Sequence, residues 1–478
     1  MKTNQTTQPY SFSTVTLATV ALAALLLQFA APSALAANRY WDNNGNTAGF
    51  GTAGGTWGVD TLWSTSSAGT NTPTLLAISG TGDTGFFGTT TSNLLAGTIN
   101  VSGSQVAQII RSASDGTITL SGGQITLADS SAANLLVDAG TLRVDSQLSG
   151  VRIVLNLGTR TLILGSTANN FTSNLVNNAG IIQLGASGVI PDGPGFGTLT
   201  IQGNNTNTIC GLDLNGFNET INGLAANNPC QKFVTNSSAT TATLTLGNND
   251  ATATYNNSGA NAINSTARIS GNLNLTKIGT GTQTLGGSSG TGSYIFDYTG
   301  ATTVSAGKLT LLTPHTGTGA LTVSANATLA LTVQGTSQWP PASLTLGNPC
   351  TLEFSNVQNP GTTTAPLAPS SAVAAVSGVT LNLNNVVGAV AVTNYPLIGN
   401  VSSTNGYAIG VQPAGVVTSH LEVISSTLVY VVDTLGDVWA GTAAPNPTWW
   451  DIGTTTNWLG KARSEEHTSE LQSPYVIS

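Results

Sequence analysis

Charge is what this chain has least of: Asp, Glu, Lys and Arg make up 7% of its 478 residues, about a quarter of the usual share. Only Lys232, Lys277, Lys308 and Lys461 follow Ala36. Nucleic acid is held by clustered Lys and Arg, so this scarcity, with a net charge of −8, excludes nucleic acid as a partner. Histidine is rarer still, at His315, His420 and His467. A zinc site wants several His or Cys ligands at close spacing, and none occurs. Before residue 463, Glu stands only at Glu219, Glu353 and Glu422, each alone, which leaves no obvious pair of carboxylates for glycoside hydrolysis. His315, after a Pro and before Thr-Gly-Thr-Gly, reads as an exposed turn residue. After the N-terminal segment no apolar run is long enough to cross a membrane as a helix.

What the chain does have is Gly, at 56 positions, with Thr, Ser and Asn filling much of the rest. Its hydrophobic residues, 40% of the total, fall in short alternating runs. Alternation buries one face of a strand and leaves the other to polar residues. A small residue followed by an apolar–polar–apolar triplet returns again and again: Gly116-Thr-Ile-Thr-Leu120, Gly123-Gln-Ile-Thr-Leu127, Gly140-Thr-Leu-Arg-Val144, Gly180-Ile-Ile-Gln-Leu184, Gly307-Lys-Leu-Thr-Leu311 and Gly378-Val-Thr-Leu-Asn-Leu383. The spacing is too irregular for a propeller, and no helix of useful length is visible. These signals predict an all-β fold, a right-handed parallel β-helix (β-solenoid) with irregular repeats and a Trp-rich terminal cap, in preference to a long sandwich. The stretch Pro360–Ser371 (PGTTTAPLAPSS) reads as a loop or as a boundary between two sub-stacks.

The ends read differently from the middle. Residues 1–36 have Lys2, the apolar run Val15–Ala31 and an A-x-A site at Ala34-Leu35-Ala36, which predicts a signal peptide and a mature chain working outside the cytoplasm. Residues 37–66 hold Trp41, Trp57 and Trp63 and read as a cap, with sugar stacking as the rival role. The repeat region then covers 67–435, and Trp339 is its one Trp. Residues 436–462 carry Trp439, Trp449, Trp450 and Trp458 and resemble the opening of a further module. Residues 463–478 begin RSEEHTSELQS, an abrupt change of composition that matches the translation of a sequencing adapter and is read as an artefact. Of the three cysteines, Cys210 and Cys230 are nearest in sequence and bracket Leu212–Leu224, which reads as strand, Asn-Gly turn, strand. A Cys210–Cys230 bridge, a Cys230–Cys350 bridge and three free thiols all remain open.

Chemical motifs are few and poorly placed. Gly80-Thr-Gly82-Asp83-Thr-Gly85 fits G-x-G-x-x-G, but one chance match is expected in so Gly-rich a chain and no helix follows. Gly286-Gly-Ser288-Ser-Gly290 fits G-x-S-x-G without the strand–elbow–helix setting. Arg143, Asp145 and Arg152, with Asp138 close by, are the nearest approach to a lyase-like group, and they read as outward positions on a strand. No catalytic, metal or cofactor-binding residue is assigned, no cofactor is implied, and no enzymatic activity is expected.

One unit stands out. Lys277-Ile278-Gly279-Thr280-Gly281-Thr282-Gln283-Thr284-Leu285-Gly286-Gly287, then Tyr298-Thr299-Gly300-Ala301-Thr302-Thr303-Val304 and Ala306-Gly307-Lys308-Leu309-Thr310-Leu311, resembles the autotransporter-associated beta strand repeat of large bacterial surface and secreted proteins. It departs at Asp297, where the family commonly carries a residue closer to Asn, at the end of a long Ser288–Phe296 insertion. The resemblance implies a passenger-like β-solenoid at the cell surface. The expected function is that of a secreted or surface-displayed structural, adhesive protein of a Gram-negative-type bacterium, outer-membrane association included. Glycans or other cell-surface molecules are the expected partners. The rival reading is carbohydrate binding or polysaccharide processing on the solenoid face.

Overall fold

The computed structural model describes residues 37–435 apart from short segments at 79–81, 129–133, 152, 204–207, 228–229, 257–265, 287–292, 314 and 359–363, together with the paired strands Val438–Trp439 and Trp458–Leu459. The signal segment and residues 463–478 lie outside the described residues, as do Arg152, Gly80 and Ser288. So does the 436–462 module, apart from those two strands.

The described chain is all-β, with long parallel sheets compatible with a β-solenoid. Three stacks of short strands are visited in turn. One stack runs through Ala253–Tyr255, Thr282–Leu285, Lys308–Leu312, Thr328–Thr332, Cys350–Ser355, Val379–Leu383 and Tyr407–Ile409, each parallel to the next. A second runs through Glu219–Ile221, Ala242–Leu246, Leu273–Lys277, Thr302–Val304, Leu321–Val323 and Leu344–Leu346. The third contains Ile209–Asp213, Gln231–Asn236, Thr266–Gly271 and Ser293–Phe296. Residues on neighbouring coils that meet across a hydrogen bond differ widely in their separation, for example 20 in sequence for Asn134 and Val154 and 36 for Asn236 and Asn272. Corners absorb this difference, so the register holds although no fixed period exists.

Alternation explains the core. In Lys308–Leu312, Thr328–Thr332, Cys350–Ser355 and Val379–Leu383, the inward columns are Leu309-Leu329-Leu352-Leu381 and Leu311-Leu331-Phe354-Leu383, all buried. The period of two puts Lys308, Thr328, Thr351 and Thr380 outside.

The 277–311 unit is one full turn of the stack. Its first strand, Thr282–Leu285, lies directly against its last, with Gln283 opposite Leu309 and Leu285 opposite Leu311. The buried Lys277 donates from Nζ to the carbonyls of Ile278 (2.5 Å), Gly279 (2.9 Å) and Ala306 (3.3 Å), tying a corner to the coil above it. Gly307 has φ 60, and a Cβ there would stand 2.4 Å from the Gly279 carbonyl oxygen, so the corner closes only on glycine. Tyr298 is buried, its hydroxyl 2.6 Å from that of Thr302. Gln283, also buried, clasps Leu224 by accepting from its N–H (3.1 Å) and donating to its carbonyl (2.9 Å). Asp297, the departure from the repeat, pairs with Arg268 (2.6 Å).

Two readings of the sequence need correction. Asn215 and Gly216 do form a turn, with φ 50 and 86, but it is no hairpin: Ile209–Asp213 and Glu219–Ile221 belong to different parallel stacks. A coil corner needs the same left-handed residues as a hairpin, so local sequence does not separate them. Of the two readings of Pro360–Ser371, only the boundary falls: where described the stretch carries no named strand, as a loop would, and it does not interrupt the stack. Leu367 is buried and bridges in parallel to Trp339 on one side and Ile398 on the other.

Antiparallel pairing occurs at both ends. Tyr40 and Trp41 pair with Ser64 and Trp63. Asn394–Gly399, Thr427–Leu435 and Val416–Ile424 form an antiparallel sheet in that order, and Ser425 and Ser426 (φ 49 and 61) make its tight turn.

Candidate functional site

Trp41, Trp57 and Trp63 pack with Phe87 in a buried cluster, with Trp63 5.1 Å from Trp41, 5.2 Å from Trp57 and 5.3 Å from Phe87, centroid to centroid. Trp41 donates from Nε1 to the Gly54 carbonyl at 3.0 Å. Trp339 is buried too, stacked on His315 at 4.5 Å. None of these four indoles faces solvent, so none is a sugar platform. Trp439 and Trp458 lie opposite one another in their strand pair, while Trp449 and Trp450 lie outside the described residues.

His315 is not the exposed turn residue its neighbours suggest. Its side chain sits between Trp339 and Tyr298, and its Nδ1 accepts from the Gly317 N–H at 3.0 Å. Burial holds its pKa down at about 3, so the ring is neutral. Glu219, also buried, accepts from the N–H groups of Val189 (3.0 Å), Ile190 (3.4 Å) and Thr220 (3.3 Å). Desolvation outweighs those bonds and raises its carboxyl to about 8. Both groups are structural fittings inside the stack rather than members of an open cleft.

The described members of the lyase-like group are held in separate pairs. Asp138 is engaged by Arg111 through two hydrogen bonds, and Arg143 pairs with its strand neighbour Asp145 at 2.8 Å. Asp83, from the glycine-rich motif, accepts from the Ala37 N–H (3.1 Å) and from Arg39 (3.4 Å). Among the described residues no three His, Cys, Asp or Glu side chains stand close enough to hold a metal ion.

A surface the sequence did not point to lies on the outward side of the third stack. Gly211, Phe233, Arg268 and Ile295 are successive partners in register. A Cβ on Gly211 would stand 2.4 to 2.5 Å from three atoms of the Phe233 ring, so the ring lies flat over that glycine. Arg268, held by Asp297, stands on its other side, and the Thr235 and Ser270 hydroxyls are 3.2 Å apart at the margin. Phe233, Arg268, Thr235 and Ser270 line a trough of about 300 Å³ with Ile209, Gln231, Thr266 and Lys232. Another hollow of about 490 Å³, at Asn384–Val390, Pro413–Gly415 and Leu435, has no titratable lining. The trough escaped sequence reading because register, which spans 35 residues here, decides what stands beside Phe233.

Directly beneath, on the inward side, Cys210 and Cys230 are buried with their sulfurs 2.7 Å apart, and Lys232 is buried beside them. Cys350 stands in another stack, where it pairs in register with Val379.

No protein-family profile matches the chain, and no solved structure does. Over 161 residues, 34% of its length, the chain is 29% identical to the adhesin BmaC autotransporter of Brucella suis biovar 1 (strain 1330); the matched span is 4% of that adhesin. The similarity accords with an autotransporter-like chain. No helix of the described residues is long and apolar enough to cross a membrane, which leaves strands out of account.

Proposed function

We propose that this chain is a right-handed parallel β-helix segment of a secreted or cell-surface adhesive protein, passenger-like and without catalytic activity. The observation that carries the reading is the three-faced parallel stack, in which side chains inside are mostly aliphatic and those outside mostly Thr, Ser and Asn. The similarity to an autotransporter adhesin supports the surface role. Such a stack is a rigid spacer with a long repetitive face, suited to holding contacts away from a membrane. Export by the N-terminal segment and association with the outer membrane belong to the same proposal. Beads coated with the chain should be retained on epithelial cells or extracellular matrix above the level of albumin-coated beads; retention no better than albumin defeats the adhesive role. Release of reducing ends from a polysaccharide panel would defeat the non-catalytic one.

A carbohydrate-binding role is the second reading, and Phe233 is the observation that favours it. An aromatic ring laid flat on a sheet, flanked by an Arg–Asp pair and hydroxyls, matches what a pyranose needs: a face to stack on and donors at its rim. F233A should abolish retention on a glycan array at unchanged folding. Equal retention by the variant removes the trough from consideration.

A further inference from the structure

We infer that Cys210 and Cys230 form a disulfide joining two successive coils of the stack, and that Lys232 positions Cys230 as the attacking thiolate. Cys210 points inward from Ile209–Asp213, and its register partner on the next coil is Lys232. Cys230 comes just before that next strand. The two sulfurs stand 2.7 Å apart, nearer than unbonded heavy atoms pack. Both side chains and Lys232 are fully buried, so neither sulfur has solvent to turn to. Cys350, in a different stack, is not in reach of either.

The electrostatics favour one order of attack. Cys230 is held below the ordinary thiol range by its contacts with Cys210 and Lys232, whereas Cys210 is pushed up by its hydrogen bond to Cys230 and by burial. The oxidant is a disulfide, either a small molecule or a protein. The Cys230 thiolate attacks one of its sulfurs, breaking that bond and expelling a first thiolate. Cys210 then gives its proton to that leaving group and attacks Cys230 Sγ, which expels the second thiolate. Two protein thiols are oxidised and one external disulfide is reduced, with no other reactant needed. Because the sulfurs are buried, the oxidant enters while Ile209–Asp213 and Gln231–Asn236 are already paired and the surrounding coils are still open, and closure afterwards shields the bond from reductant.

This inference does not depend on the adhesive reading, and its test needs no export. The full chain is unfolded in reductant, refolded with oxidised and reduced glutathione until its β-sheet circular dichroism returns, and then unfolded in acid and alkylated. Trypsin alone leaves Cys210 and Cys230 together, so cleavage after Glu, Lys and Arg is used, which isolates them on 161–219 and 220–232, with Cys350 on 309–353. One alkylated thiol, Cys350, and a link between the other two peptides is the expected result. Three alkylated thiols, or any link through Cys350, would overturn the disulfide. Where refolding yield is low, the same mapping on chain purified folded from an oxidising compartment has the same two outcomes. K232M should slow formation of the link about tenfold in glutathione buffer and leave its identity unchanged; an unchanged rate removes Lys232 from the role. Reduction of the unfolded protein before refolding should lower the melting midpoint by several degrees in the parent chain and leave the C210S/C230S variant where it is.

Discussion

The coils at 308–383 and the coils at 209–236 share one parallel register and fill it in opposite ways. In the first, the inward positions of three successive strands are Leu or Phe apart from Cys350. In the second, the inward positions include Cys210, Lys232 and Asn236, and Asn236 donates to the Thr240 and Asn272 carbonyls at 2.7 and 2.6 Å. Backbone ladders are therefore the common element, and the interior accepts a polar group where a corner carbonyl or a neighbouring side chain satisfies it. Where the interior is aliphatic, stability comes from packing. Where it is polar, stability depends on partners that can be removed one at a time.

Substitutions can break that contrast. The largest loss is expected from F354A, which empties an aliphatic column and should cost about 3–5 kcal/mol in chemical unfolding. A loss under about 1 kcal/mol would mean that packing does not hold those coils. Next come two pH effects of opposite sign. Glu219 has a folded pKa of about 8, raised from 4.5, so the folded state binds the extra proton and stability falls as pH rises between those values. His315 has a folded pKa of about 3, lowered from 6.5, so stability falls as pH drops through that window. Each slope amounts to a few kcal/mol across its window. E219Q should flatten the alkaline limb of the stability curve and H315F the acid limb, read from melting midpoints at pH 4 to 9; limbs that keep their slopes would show that neither group titrates as its burial dictates.

The two buried lysines sharpen the comparison at a smaller scale. K277M orphans three corner carbonyls and should cost about 1–3 kcal/mol. K232M exchanges a desolvated cation for an apolar side chain of similar length and should change stability by about 1 kcal/mol or less, in either direction. Equal losses would erase the distinction between a corner lysine and one inside the stack. The smallest effect belongs to the C-terminal sheet. Ser425 and Ser426 occupy left-handed backbone that Asn-Gly fits better, so S425N/S426G should gain about 0.5–1 kcal/mol.

Much of the strand pattern was legible, because inward and outward residues alternate within each strand and the Gly-containing corners punctuate them. The 277–311 unit shows why: Lys277, Gly307 and Tyr298 each answer a need of the coil that contains them. What stayed hidden was set between coils. His315 looks like a turn residue until Trp339, on the following coil, is placed against it. Asn215-Gly216 has a hairpin's chemistry and a corner's geometry. Phe233 sits beside Arg268 only because of a register that no local pattern encodes. The Cys210–Cys230 approach was one option among three, and the stacking of Ile209–Asp213 on Gln231–Asn236 is what brings those sulfurs together.

The change of strand direction at Asn394–Gly399 has a consequence for how such molecules behave together. A parallel stack is a template: its last strand offers a row of unpaired amides and carbonyls that an identical strand can copy, the route by which chains grow into fibres. Here the face that passes through Trp339, Leu367 and Ile398 meets a strand already committed to Thr427–Leu435 running the other way. A second molecule arriving end-on at this face finds the row of Asn394–Gly399 occupied and meets Val416–Ile424 as the outer strand instead. Any copying of strands at this face has to start from that separate three-stranded sheet rather than from the solenoid ladder itself.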